Sequence, residues 1–154
     1  LTKLKRLFRL NMEDYQNTFS ERHTDTAALC NSDRRIAAMH FGGITIECLL
    51  KAMIIASLPK GVFKEWKTDS FDPGHTITNP GHSYGEALRR HNRLNSRIQK
   101  FPEVMKWLQD IEHPSQHFID MRYSCDEPDD ASYKQWLDSY QRLRGWLQNQ
   151  ATQL

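Results

Sequence analysis

The stretch Arg34-Arg35-Ile36-Ala37-Ala38-Met39-His40-Phe41-Gly42-Gly43-Ile44-Thr45-Ile46-Glu47-Cys48-Leu49-Leu50-Lys51-Ala52-Met53-Ile54-Ile55-Ala56-Ser57-Leu58 decides the fold class. Its apolar residues Ile36, Met39, Ile46, Leu50, Met53 and Ile54 recur at helical spacing with few polar breaks. A helix apolar over so wide an arc belongs at the centre of a bundle, and Pro59 and Gly61 mark its end. Gly42 and Gly43 lie in its middle, where each costs about 1 kcal/mol relative to alanine. That cost predicts close approach by another helix, with a kink as the alternative.

Outward from this segment the same periodicity continues. Met12, Tyr15, Phe19, Thr26 and Cys30 predict a first helix over residues 11 to 30, and Asn31, Ser32 and Asp33 interrupt it with side chains suited to capping the next. Residues 59–82 hold Pro59, Gly61, Pro73, Gly74, Pro80 and Gly81, a long connection of the kind that is either functional or mobile. Tyr84, Leu88, His91 or Asn92, Asn95 and Ile98 predict a third helix, with His82 and Ser83 at its mouth. Pro102 suits the first turn of a fourth, carrying Val104, Trp107, Leu108 and Ile111, which Pro114 should break. After the turn at residues 126–130, Tyr133, Trp136, Leu137, Tyr140, Leu143 and Leu147 give the clearest amphipathic helix. With no period-2 segment competing, the expectation is an all-α, up-and-down helical bundle of about five helices, forming one domain over residues 1–154.

Composition narrows the function classes. The chain is 26% charged with a net charge of only +2, which fits weak steering of a nucleotide or RNA rather than tight non-specific DNA binding. Three cysteines, Cys30, Cys48 and Cys125, show no CxxC pair, which argues against a zinc ribbon or a secreted disulfide framework and for a cytoplasmic protein. The run from Ile44 to Leu58 contains Glu47 and Lys51 and is short for a bilayer, and the basic N-terminus lacks the continuous apolar core of a secretion signal. No membrane association and no cofactor are expected. The first residue is leucine rather than methionine, which leaves room for sequence upstream.

Residues 34–52, above all Ile46-Glu47-Cys48-Leu49-Leu50-Lys51-Ala52, resemble the second helix of HEPN domains. Pro80-Gly81-His82-Ser83-Tyr84-Gly85-Glu86-Ala87-Leu88 resembles that family's His-containing helix start, and His117-Phe118-Ile119-Asp120-Met121-Arg122-Tyr123-Ser124 resembles its Arg-Tyr segment. The matches fall in the family's order and cover most of residues 34–124. The resemblance implies a helical bundle, commonly a homodimer, often partnered with a minimal nucleotidyltransferase in toxin–antitoxin or defence modules, with nucleotide or RNA binding or ribonuclease activity.

Ribonuclease members of the family carry Arg-x4-6-His near the start of the last long helix, where arginine stabilises phosphate charge and histidine moves protons. Here Arg34 and Arg35 precede His40 by a suitable spacing, but in a different helix, and no histidine follows Arg122. The reversed order His117-x4-Arg122 would place both groups on one helical face. The candidate catalytic residues are therefore His117, Arg122, Arg35 and His40, and the candidate ligand-binding residues are Glu47, Lys51, His82, Arg122 and Tyr123. Glu47 and Lys51 at i, i+4 have two readings: an intrahelical ion pair, or a Lys51 that joins His82 and Arg122 in a phosphate-binding cleft. His75 and His82 with Glu47 could be drawn as metal ligands, but surface or capping roles are the reading for these and for His23, His91 and His113, and no metal site is expected. Trp107, Trp136, Tyr140 and Trp146 are read as core or dimer packing, and Cys48 as an inert small hydrophobe. The expected function is a non-catalytic interaction module that forms a homodimer, pairs with a nucleotidyltransferase-type partner and binds a nucleotide or RNA. The alternative is a metal-independent endoribonuclease.

Overall fold

The computed structural model describes residues 9–57, 65–67, 77–78 and 81–153, with side chains described over 14–57 and 81–153. The expected all-α class is what it shows: among the described residues, six α-helices and one 3-10 turn make a bundle around a single apolar core. Helix α1 (Met12–Asn31) turns back into α2 (Arg35–Ala56) through a short connection in which Asp33 takes a left-handed φ of 53° and Arg34 N–H donates to Leu29 O at 2.9 Å. Such a tight turn forces the two helices to lie side by side. Between Ala38 and Ile55 every residue of α2 except His40, Phe41 and Ile44 is buried, so α2 is the central helix that its apolar arc predicts. By length and hydropathy α2 would also pass for a membrane span, being longer than the apolar run alone, but 83% of its most apolar window is covered by the rest of the bundle.

Helices α3 (Tyr84–Leu88) and α4 (Asn92–Gln99) replace the single third helix expected from periodicity. The break has a local cause: His91 leaves helical geometry, and its Nδ1 accepts from Leu94 N–H at 3.2 Å, which caps a new helix. Helix α5 (Pro102–Glu112) begins on its proline, as expected. A 3-10 turn (Asp120–Tyr123) leads to α6 (Asp130–Ala151), whose first turn is capped by Asp129 accepting from Ser132 N–H at 2.7 Å. Arg35 joins the starts of α2 and α6, meeting Asp130 at 2.8 Å and donating to Pro128 O at 3.2 Å.

The two mid-helix glycines are explained by aromatic side chains from outside α2, not by another helix backbone. A Cβ on Gly42 would stand 2.5 Å from Trp136 Cζ2 of α6, and one on Gly43 would collide with the Phe118 ring. Trp136 and Tyr140 stack at 5.3 Å along this surface and are nearly fully buried, which places both in the core. Three very short strands among the described residues, β1 (Arg9–Asn11), β2 (Glu65–Lys67) and β3 (Ile77–Thr78), pair in that order, antiparallel and then parallel. Pairings of two or three residues leave no periodic trace in sequence and do not change the class. The rest of the long connection over 59–80, His75 included, lies outside the described residues.

Candidate functional site

The residues singled out from sequence separate into two places. The first is a polar knot with a buried Lys51–Glu47 centre and an exposed His82 at its edge. Lys51 Nζ donates to Glu47 Oε1 at 2.6 Å and to Gly81 O at 2.7 Å, and His82 Nδ1 meets Glu47 Oε2 at 2.8 Å. The Lys51 side chain is only 3% exposed and that of Glu47 10%. A charge so deeply desolvated is held by its partners and is not presented to a ligand. Lys51 and Glu47 therefore form the intrahelical pair, and they fasten residues 81–82 to α2. His82 joins them, but Arg122 does not, so the cleft drawn from sequence around Lys51, His82 and Arg122 is not assembled.

The same knot absorbs His117. Its Nδ1 accepts from Ile119 N–H at 3.3 Å and its Nε2 donates to His82 O at 3.1 Å, with Glu112 Oε2 3.8 Å away. Nε2 thus holds this loop against the one at His82, while Nδ1 is engaged within its own loop. His117 lies before the 3-10 turn and not on a helix with Arg122, so the one-face arrangement is also corrected. Glu112, which carries no sequence signal of its own, accepts from Tyr84 N–H at 2.9 Å and so fixes the mouth of α3. The Tyr84 hydroxyl donates to Gly43 O at 2.6 Å, and complete burial pushes its pKa well above the ordinary phenol value. Cys48 is inert as expected: burial raises its thiol to about 12.

The second place is an open hollow of about 360 Å³ between the start of α2 and the segment around the 3-10 turn. Arg34 and Arg122 line it with His40, Phe41, Cys125 and Glu127. Arg34 stands at the N-terminus of α2, and Arg122 and Tyr123 close the 3-10 turn, all three exposed. The Arg122 guanidinium lies over the Tyr123 ring at 4.7 Å, and Tyr123 is 76% exposed, an aromatic face that the core does not use. His40 Nδ1 must donate to Phe118 O, 2.9 Å away, because a carbonyl only accepts. That orients the ring and leaves Nε2 as its other, unengaged nitrogen among the described residues. Glu127 offsets part of the cationic character of this wall.

Arg35 is not part of the hollow's chemistry. Its guanidinium is committed to Asp33 at 2.8 Å and Asp130, which hold its pKa above the usual arginine value, and it packs over the Tyr133 ring at 4.9 Å. Of the candidate residues the fold thus brings together His40 and Arg122, adds Arg34, leaves Tyr123 outside the lining as a neighbour of Arg122, and ties Arg35, Glu47, Lys51, His82 and His117 into structural contacts. The Arg34-to-His40 spacing was the one sequence signal for this grouping. No group of three or more His, Cys, Asp or Glu side chains is gathered for a metal among the described residues. No family model, no curated protein and no solved structure matches the chain.

Proposed function

We propose that this chain is a HEPN-like helical interaction module, non-catalytic, that receives a phosphate group of a nucleotide or RNA in the Arg34–His40–Arg122 hollow. The observation that carries this reading is the convergence of two exposed guanidinium groups on one open hollow beside an exposed tyrosine. Guanidinium forks match phosphate oxygens, and the exposed Tyr123 ring, with Arg122 over one side, offers a nucleobase its other face for stacking. The resemblance over residues 34–124 supports the choice of family, a homodimeric assembly and a minimal nucleotidyltransferase as partner. The three free cysteines support a cytoplasmic setting.

Titration with guanosine monophosphate, followed by calorimetry, tests the binding claim. Removing a charged hydrogen-bond donor should weaken affinity about tenfold or more in Arg122→Ala. An unchanged isotherm for that variant excludes the hollow as the site.

The endoribonuclease reading has one observation of its own, the His40 ring held through Nδ1 with Nε2 left to exchange protons beside two cations. Incubation of the protein with RNA settles it. Cleavage that His40→Ala abolishes would replace the non-catalytic reading.

A further inference from the structure

The segment Arg89-Arg90-His91-Asn92-Arg93-Leu94-Asn95-Ser96-Arg97-Ile98-Gln99-Lys100 holds five Arg or Lys residues and no Asp or Glu. The whole chain is +2, so everything outside this segment sums to −3. A near-neutral total therefore conceals a strongly basic strip on a mildly acidic body. Arg93 and Arg97 of α4 and its C-cap Lys100 follow at i, i+4 and i+7, one face of the helix. The helix dipole favours Arg97 and Lys100 at the C-terminal end, whereas Arg93, in the first turn, is placed against it, so helix stability does not account for Arg93.

Arg97 is fixed in place, donating to Gln150 Oε1 at 2.9 Å and to Gln153 O at 3.4 Å. Arg93 and Lys100 are exposed and make no ion pair among the described residues, whereas Arg89 meets Glu86 at 2.9 Å. The apolar residues of the strip, Leu94 and Ile98, are buried against the core. What faces outward is arginine, lysine, asparagine, serine and glutamine.

From this composition we infer that the strip is a second binding surface, whose ligand is the phosphate backbone of RNA. A protein partner would need a desolvated apolar centre in its interface, and the outward face of 89–100 has none. Phosphate and ribose, by contrast, are held by just this mixture of guanidinium, ammonium, amide and hydroxyl groups. The inference rests on the reading of the hollow only for its choice of RNA over other polyanions.

The position of the strip adds a length requirement. The starts of α2 and α6 are joined by Arg35 and Asp130, and the hollow lies at that end. Ala151 shares a groove with Met53 and Ala56, so the two helices run alongside each other to their far ends, where Arg97 is tied to Gln150. At 1.5 Å per residue the hollow and the strip stand roughly 30 Å apart. A mononucleotide can occupy only one of them. Only a strand several nucleotides long can reach both.

Fluorescence anisotropy of a labelled, mixed-sequence RNA of roughly 20 nucleotides, long enough to span that distance, tests the inference on the full chain. The variants are Arg93→Gln with Lys100→Gln, and Arg122→Ala. The double variant should bind the RNA several-fold more weakly and lower the slope of log affinity against log salt by about 1.4, that is about 0.7 for each single-strand phosphate no longer neutralised. Its melting temperature and its affinity for guanosine monophosphate should stay as in the wild type. Superimposable RNA isotherms and salt slopes for wild type and double variant overturn the strip. Displacement of the RNA by polyglutamate as effective as by unlabelled RNA overturns the nucleic-acid assignment in favour of an acidic protein. Failure of the hollow reads out separately, as guanosine monophosphate binding indifferent to Arg122→Ala while the double variant still loses RNA.

Discussion

Gly43 lacks a side chain because the Phe118 ring occupies the place where one would stand. Gly43→Ala should therefore cost about 1–3 kcal/mol through overpacking. Gly145, in the open on α6, is its control: Gly145→Ala should be neutral or gain up to about 1 kcal/mol from helix propensity. Melting temperatures that fall equally for the two would refute the packing account. Trp136→Ala, which empties a nearly fully buried site, should cost about 3–5 kcal/mol, and a melt that barely moves would remove that residue from the core. Two histidines make stability depend on pH with a defined sign. Burial lowers the pKa of both His91 and His23, the nearby Arg144 adding to the effect at His23, so the folded state takes up protons less readily than the unfolded chain. Stability should then be highest above the ordinary histidine value of about 6.5, fall as pH drops below it, and level off once the folded groups are protonated. For His91 the reason is geometric as well, since a protonated Nδ1 cannot accept from Leu94 N–H. Urea unfolding at pH 7.5 and 5.5 measures the difference, and His91→Asn, which can still cap, should shrink it. A larger pH effect in that variant would contradict the assignment.

Among the elements, α2 does more than fill the core. Through Lys51 and Glu47 it grips Gly81 and His82, the residues that lead into α3. Lys51→Met strands Glu47 in a buried site and should cost about 3–5 kcal/mol, toward the lower end because His82 still holds the carboxylate. Converting both partners to apolar residues, Glu47→Leu with Lys51→Met, should cost less than the single change. Denaturant midpoints check this, and a double variant less stable than the single one would show that the pair stabilises outright. Four helices could be read in the chain because each buries a regular stripe: Met12–Asn31, Arg35–Ala56 and Pro102–Glu112 lie within two residues of their expected limits, and Asp130–Ala151 starts at the expected turn and runs four residues past its last periodic residue, Leu147. The break between α3 and α4 was hidden because its cap is a histidine, not one of the short polar residues that usually announce a helix start. The hollow was half legible. Arg34 and His40 are close in sequence and share a spacing, but Arg122 reaches them from a segment more than eighty positions away, a meeting that only the packed bundle decides. Resemblance instead groups Arg122 with Lys51, whose burial no local pattern reveals.

At the scale of the whole molecule, the homodimer we propose would use the exposed apolar side chains at the start of α5. Phe101 and Met105 are 44% and 48% exposed at the start of α5, and Phe101 meets Trp146 of α6 edge-on at 6.2 Å. Sedimentation at micromolar concentration should show a dimer that Met105→Lys dissociates, and a wild-type monomer would exclude stable association by this face. The α1–α2 hairpin carries a further consequence, in time instead of space. Its two long helices are neighbours in sequence, joined by a turn that Asp33 closes, so their mutual packing needs almost no loop closure. Such local pairing favours rapid folding, with the hairpin formed early and the aromatic rings of Phe118 and Trp136 seated late against Gly42 and Gly43. Stopped-flow kinetics would show this division as two signatures: Ile46→Val slowing the folding limb, and Trp136→Ala acting mainly by hastening unfolding. The glycine surface would then be the last part of the native state to be occupied and the first to be vacated.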